Sequence, residues 1–214
     1  MKQLKKENNH NSPEEYDRIF KERTKSNPNW QDLRRWKELI KYFEGNYLID
    51  IGCLDSQIYD MAHNKVWEKT NGNFIYLGTD VAKVAIKEMV KQNPFSNCFF
   101  IEDDIYNTKI RDEVADYVVL GEVLEHLERP EEALKNAFKM LKSGGILAIS
   151  VPLEEEKEPG AVDGDRHLWS YNVDDIKSLV TPYSLKIEFK VLRSKWFPTY
   201  KYCWPQLLCF AWKK

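Results

Sequence analysis

The chain has 214 residues, 43% of them hydrophobic, which is material for the core of one ordinary domain. Lys and Arg number 32 against 34 Asp and Glu, and a net charge of −2 speaks against bulk, sequence-independent binding of nucleic acid. The longest uncharged runs, Gly144 to Leu153 and Tyr202 to Trp212, fall well short of the roughly 18 residues that suggest a membrane span, so none is expected, and the start MKQLKKENNH has no apolar stretch of the kind a secretory signal carries.

Two amphipathic helical patterns come first. Tyr16, Ile19, Phe20 and Arg23 share a face after Ser12-Pro13, and Leu33, Trp36, Ile40 and Phe43 do so after Asn27-Pro28. Together they predict an N-terminal helical cap over residues 1–44, followed by a domain over 45–214. From there the pattern alternates between strand and helix. Tyr47 to Ile51 reads as a buried strand, Ile58 to Val66 as a helix, Phe74 to Leu77 as a second strand, and Val81 to Met89 as a second helix ending before Asn93-Pro94. Cys98 to Ile101 gives a third strand. Ala115 to Leu120 gives a fourth, whose continuous apolar run suits a strand covered on both faces.

Pro130 opens a helix with Leu134, Ala137, Phe138 and Leu141 inward, Ser143-Gly144-Gly145 is expected to stop it, and Ile146 to Val151 is the fifth strand. An acidic stretch then runs from Glu154 to Asp165 with six carboxylates against Lys157 alone; it reads either as a lid over a ligand or as a solvated loop. Val173 to Val180 predicts a helix. Ser184 to Leu192 and Tyr202 to Trp212, the latter interrupted by Pro205, predict an antiparallel hairpin at the sheet's edge. The expected fold is therefore α/β, doubly wound, with a mostly parallel seven-stranded sheet. Cys53, Cys98, Cys203 and Cys209 show no metal or redox spacing and read as reduced thiols, as in a cytoplasmic protein.

In open parallel sheets ligands bind beyond the carboxyl ends of the strands, and here each such place carries a carboxylate: Asp50, Asp80, Asp103 and Asp104, and Glu122. The turn after the first strand has Gly52 but no further glycines, so a GxGxxG cradle for pyrophosphate is poorly supported and a nicotinamide-dependent oxidoreductase is a weaker reading. Successive carboxylates suit a ligand rich in donors: an ammonium, two ribose hydroxyls and an adenine amine.

These residues resemble the class I, Rossmann-like S-adenosylmethionine-dependent methyltransferases over Tyr47 to Pro152. Asp50 and Gly52 match the family's first motif, while Leu54 and Ser56 replace its second and third glycines. Asp80 stands where the ribose-binding acid stands, and Asp104-Ile105 where the adenine-contacting pair stands. The block from Asp116 to Pro152 follows the family's fourth strand, helix and fifth strand. The resemblance implies S-adenosyl-L-methionine as cofactor, held by Asp50, Gly52, Cys53, Ser56, Asp80, Val81, Asp104, Ile105 and Glu122. It also implies methyl transfer to an O or N nucleophile of a small molecule or glycan precursor. A non-catalytic S-adenosylmethionine-binding protein, or a methyltransferase of protein or RNA, is the alternative.

His126 and His167 are the expected catalytic residues, because histidine titrates near neutrality and can take a proton from an acceptor hydroxyl. Glu122, Glu125 and His126 are spaced to share one face of a helix, with His167 in reach to complete a shell around a cation. A hydrogen-bonded turn explains the same residues, and no metal is assigned. Trp169, Tyr171, Trp196 and Phe197 suit either an acceptor pocket or core.

Overall fold

The computed structural model describes residues 1–3, 11–22, 30–54, 58–66, 70–93, 95–153, 167–193 and 205–214, with backbone alone at 22, 30 and 31. A short strand β1 (Lys2–Gln3) precedes the helices α1 (Pro13–Glu22) and α2 (Trp30–Leu39). The alternating region follows as β2 (Tyr47–Ile51), α3 (Ile58–Val66), β3 (Ile75–Asp80), α4 (Lys83–Gln92), β4 (Cys98–Glu102), β5 (Ala115–Gly121), α5 (Pro130–Met140) and β6 (Leu141–Pro152). The chain closes with β7 (Trp169–Ser170), α6 (Val173–Val180), β8 (Ser184–Leu192) and β9 (Gln206–Lys213). Among the described residues no helix is long and apolar enough to cross a membrane.

Local chemistry explains the helix starts. Ser12 Oγ accepts the Glu15 N–H at 3.2 Å, with Glu14 and Glu15 in the first turn of α1. Pro130 opens α5 beside Glu131 and Glu132, and Asn172 and Asp175 form a reciprocal capping box on α6. Side chains alternate across the sheet. Ile49, Ile51, Val118, Leu120, Leu147 and Ile149 pack with α5 and α6, whereas Leu48, Tyr76, Tyr117, Val119 and Ala148 pack with α2, α3 and α4.

The sheet has seven strands in the order β4-β3-β2-β5-β6-β9-β8. From β4 through β3, β2 and β5 to β6 neighbouring strands pair in parallel, and β9 is antiparallel to both β6 and β8, so the last two strands form the expected antiparallel pair, with the C-terminal strand lying between β6 and the edge strand β8. The order reverses between β2 and β5. In such sheets that reversal opens the crevice in which ligands lie.

Two boundaries differ from expectation. The second strand runs on to Asp80 rather than ending at Leu77, because Tyr76 to Asp80 pair with β4 without a break. Ser143-Gly144-Gly145 does not stop a helix: α5 ends at Met140, Leu141 already pairs with Ala115, and residues 142–145 bulge out before Ile146 rejoins the ladder opposite Tyr117. Gly144 supplies the positive φ of that bulge, and Lys142 Nζ meets Asp116 at 2.6 Å across it. Arg23, Ser56, Arg166, Trp196, Phe197, Cys203 and the acidic stretch Glu154 to Asp165 lie outside the described residues.

Candidate active site

The crevice is built where β2 and β3 end side by side. Gly52 and Cys53 both donate their backbone N–H to Thr79 O, at 2.8 and 3.0 Å, which folds the loop after β2 onto the end of β3. That fold needs a left-handed residue at Gly52, with φ +71°, and a Cβ there would meet Val123 Cγ2 at 2.5 Å. Leu54 also has a positive φ, 38°. A leucine therefore sits in the glycine-like backbone of the first motif, a conformation that costs about 1–2 kcal/mol for an L-residue.

Asp80 ties this loop to the next. Its Oδ2 accepts the Leu54 N–H at 3.0 Å and its Oδ1 the Ala82 N–H at 2.8 Å, while its backbone O accepts the Asp103 N–H at 3.1 Å. Burial raises its carboxyl above the usual aspartate range, and the N–H groups of Ala82, Leu54 and Val81 pull it partly back. Asp50 lies behind the loop, 3% exposed, and accepts the Tyr76 hydroxyl at 2.8 Å. Cys53 is buried too. Burial pushes its thiol well up, with the Asp50 and Asp80 charges adding to the effect, so it stays protonated and inert as a nucleophile.

Beyond β4, Asp104 Oδ1 accepts the Tyr106 N–H at 2.9 Å, whereas the buried Asp103 takes Thr108 Oγ1 at 2.7 Å and Lys109 N at 2.9 Å. Asp103 is thus the structural anchor of this turn and Asp104 the more open carboxylate. The Ile105 side chain belongs to the core under α5, and its carbonyl accepts Asn136 Nδ2 at 2.9 Å.

Across the crevice, Glu122 ends β5 with φ 58° and accepts the Ser150 hydroxyl at 2.8 Å and Gln206 Nε2 at 3.4 Å, with Arg35 3.7 Å away. Glu122 does not share a face with Glu125 and His126, because Leu124–His126 is a single 3-10 turn and not a longer helix. The side chains that do converge come from afar. His167 joins Glu125 and His126, because Leu168 N donates to Glu125 O at 2.7 Å and Trp169 Nε1 to Leu127 O at 2.8 Å. Tyr171, 1% exposed, donates its hydroxyl to Leu124 O at 3.2 Å. It is a strut of the core rather than part of an acceptor pocket.

Helix α1 closes this end. Asn11 Nδ2 donates to His126 O at 3.0 Å, the Tyr16 ring meets His126 edge-on at 6.4 Å, and Asp17 Oδ1 accepts the Val84 N–H at 2.6 Å, capping the first turn of α4. Replacing Asp17 by Ala should cost about 1 kcal/mol and loosen α1 from the crevice. Thermal unfolding measures the first effect and protease sensitivity of residues 11–22 the second.

Residues 49–149 match the family model described as a methyltransferase domain. Over these residues the chain carries a methyltransferase domain. No match was found among curated proteins. Solved structures share the fold at low identity. One is a chain of the complex between the Haloferax volcanii Trm112 methyltransferase activator and a methyltransferase, at TM-score 0.70 and 14% identity over 93% of this chain and 97% of that one. Another is the N-methyltransferase NodS of Bradyrhizobium japonicum WM9 with S-adenosyl-L-homocysteine, at 0.66 and 15% over 92% and 98%. A third is the [4+2]-cyclase SpnF, at 0.66 and 16% over 89% and 84%.

In this methyltransferase domain the structure brings Asp50, Gly52, Cys53, Asp80 and Val81 together at the adjoining ends of β2 and β3, with Asp104 next to them. It sets Glu122 apart in a polar network with Ser150 and Gln206, and groups His126 with His167. Asn11 and Asp17 carried no sequence signal, and Tyr16 only that of an amphipathic face, since their contacts depend on how α1 docks and not on local spacing.

Proposed function

We propose that this methyltransferase passes the methyl group of S-adenosylmethionine to an oxygen or nitrogen of a small molecule or glycan precursor. The observation that carries the reading is Asp80, a buried carboxylate fixed by two backbone N–H groups at the mouth of the crevice. Each carboxylate oxygen keeps a lone pair beyond the one already engaged, so both can accept ribose hydroxyls as well. In this assignment Asp104 takes the adenine amine, the Gly52–Leu54 turn, backed by Asp50, holds the amino-acid end, and Glu122 orders the opposite wall.

Methyl transfer from a sulfonium is an in-line displacement whose donor is already activated, so positioning does most of the work. His126 and His167, each about one fifth exposed, stand on the side of the crevice covered by α1 and serve the acceptor's proton. Leu54 and Ser56, where the family has glycines, favour a second reading: a protein that binds S-adenosylmethionine without turnover.

Calorimetric titration with S-adenosylhomocysteine tests the first reading. Saturable binding is expected, and ligand at a hundredfold above Kd should add about 2.7 kcal/mol, or roughly 5–10 °C in Tm for a domain of this size. No binding of S-adenosylmethionine or S-adenosylhomocysteine at millimolar concentration removes both readings. Tight binding of a nicotinamide dinucleotide instead would favour an oxidoreductase. Binding without methyl transfer to any hydroxyl or amine acceptor tried favours the second reading.

A further inference from the structure

Strand β8 is nine residues long and ends the sheet; it pairs with β9 on one side and, among the described residues, with no strand on the other. Its outer side therefore presents a row of backbone N–H and C=O groups, a template for one more strand. The two faces of β8 differ. On one, Ile187 and Phe189 are half-buried beside Ala211 and Cys209, and Val191, opposite Leu207, is 36% exposed. Leu185, at the bulge where the pairing begins, is 73% exposed. The core thus reaches the open edge as an apolar stripe.

The other face carries Lys186, Glu188 and Lys190, opposite Trp212, Phe210 and Leu208. Lys186 lies 4.2 Å over the Trp212 ring and meets Glu188 at 2.6 Å, Glu188 accepts the Tyr42 hydroxyl, and Lys190 meets Glu38 at 2.5 Å. These contacts hold the three side chains in a row along the edge. A run of lysines would repel a second copy, which is how many edge strands are protected. Here the signs alternate, so the edge is complementary to itself. The opposite edge, β4, is five residues long with Glu102 as its one charge, and nothing there selects a partner or a register.

We propose that β8 is the interface of a homodimer, in which two copies meet antiparallel about a two-fold axis at Phe189 and join their sheets into one. The axis must pass through a residue, because only then do the apolar faces of the two sheets continue one another. Centred on Glu188, the pairing would set Glu188 against Glu188 and Lys186 against Lys190. Centred on Ile187, it would draw the bulge at Leu185 into the ladder. Centred on Phe189, Glu188 faces Lys190 of the second copy on both sides of the axis, Phe189 meets Phe189, and Ile187 meets Val191 twice, with opposed Cβ atoms about 4.5–5.5 Å apart. Strands β6 and β9 separate this edge from the crevice beside β5, so the dimer leaves the crevice open and the inference is independent of what binds there.

The test uses the full chain. Sedimentation velocity from micromolar to millimolar protein should show a monomer–dimer equilibrium. Lys190→Glu and Glu188→Lys each set like charges opposite one another at two places, and each should weaken the dimer at least tenfold. Combining the two exchanges the signs and should restore it. Lys186→Glu should dimerise as the parent does, because Lys186 faces Leu192 in this register; circular dichroism checks that every variant is folded. Phe189→Cys should form a disulfide-linked dimer under mild oxidation beyond any that the parent gives, since opposed Cα atoms of an antiparallel pair lie within disulfide reach. A parent that stays monomeric at millimolar concentration leaves the edge to a partner of another kind and overturns the proposal, as does a dimer indifferent to Lys190→Glu. A double variant no better than the single ones overturns the charge register.

Discussion

Asp80→Ala is expected to lower the affinity for S-adenosylhomocysteine by roughly one to two decades, since hydrogen bonds to a charged group contribute about 1.5–3 kcal/mol. It should lower stability as well. Both carboxylate oxygens already accept backbone N–H groups, from Leu54 and Ala82, and truncation leaves those donors without their acceptor inside the protein. Asp80→Asn separates the two effects: it keeps the side-chain shape and one acceptor oxygen but removes the charge, so affinity should fall further than Tm.

The pH dependence has a definite sign. The folded protein holds the Asp80 proton more tightly than the unfolded chain does, because burial raises its pKa. The stability this gives is therefore fully present below the unfolded value and lost as pH rises through the folded one. In the proposed assignment the ribose hydroxyls bind the charged form. Affinity for S-adenosylhomocysteine should be highest at neutral pH and fall as the solution is taken down toward the ordinary aspartate range near about 3.9. Asp80→Asn should lose most of that slope. Parent-like affinity in Asp80→Ala would show that the ribose is held elsewhere.

What could be read from the sequence follows from how local each feature is. The α/β alternation, Gly52 and the carboxylates at the strand ends were legible, because an apolar run and its terminal Asp need only their own segment to be recognised. Residues 173–180 and 184–192 fell where the periodicity placed them. The bulge at 142–145 was not legible, since Ser-Gly-Gly serves a helix stop and a strand bulge alike, and pairing with Ala115 decided between them. The spacing of Glu122, Glu125 and His126 misled for a related reason. A helical face requires a helix, and the turn stops after three residues. Glu122 instead found Ser150 and Gln206, on strands that the sequence places 28 and 84 residues away. Leu54 shows the converse: it replaces a glycine of the motif, yet the Asp80 carboxylate and the Thr79 carbonyl hold the turn with Leu54 at a positive φ.

Gly52→Ala should be among the most damaging single-methyl changes in this protein. The backbone there has φ +71°, which costs an alanine about 1–2 kcal/mol. The new Cβ would also lie 2.5 Å from Val123 Cγ2, an overlap of the kind that costs about 1–3 kcal/mol. Together these come to about 2–5 kcal/mol, or a fall in Tm of roughly 4–20 °C. Val123 immediately precedes the Leu124–His126 turn, so a shift that relieves the overlap also moves His126 and Glu125. The turn at Gly52 and the Leu124–His126 turn are therefore coupled through Val123. The double variant Gly52→Ala, Val123→Ala isolates the two contributions: it should recover the packing share against the Val123→Ala background and leave the backbone share in place. Thermal unfolding of the four proteins gives the coupling directly. If Gly52→Ala alone left both Tm and S-adenosylhomocysteine affinity unchanged, the turn after β2 could not have the conformation that sets Asp80, Leu54 and Val123 around the crevice.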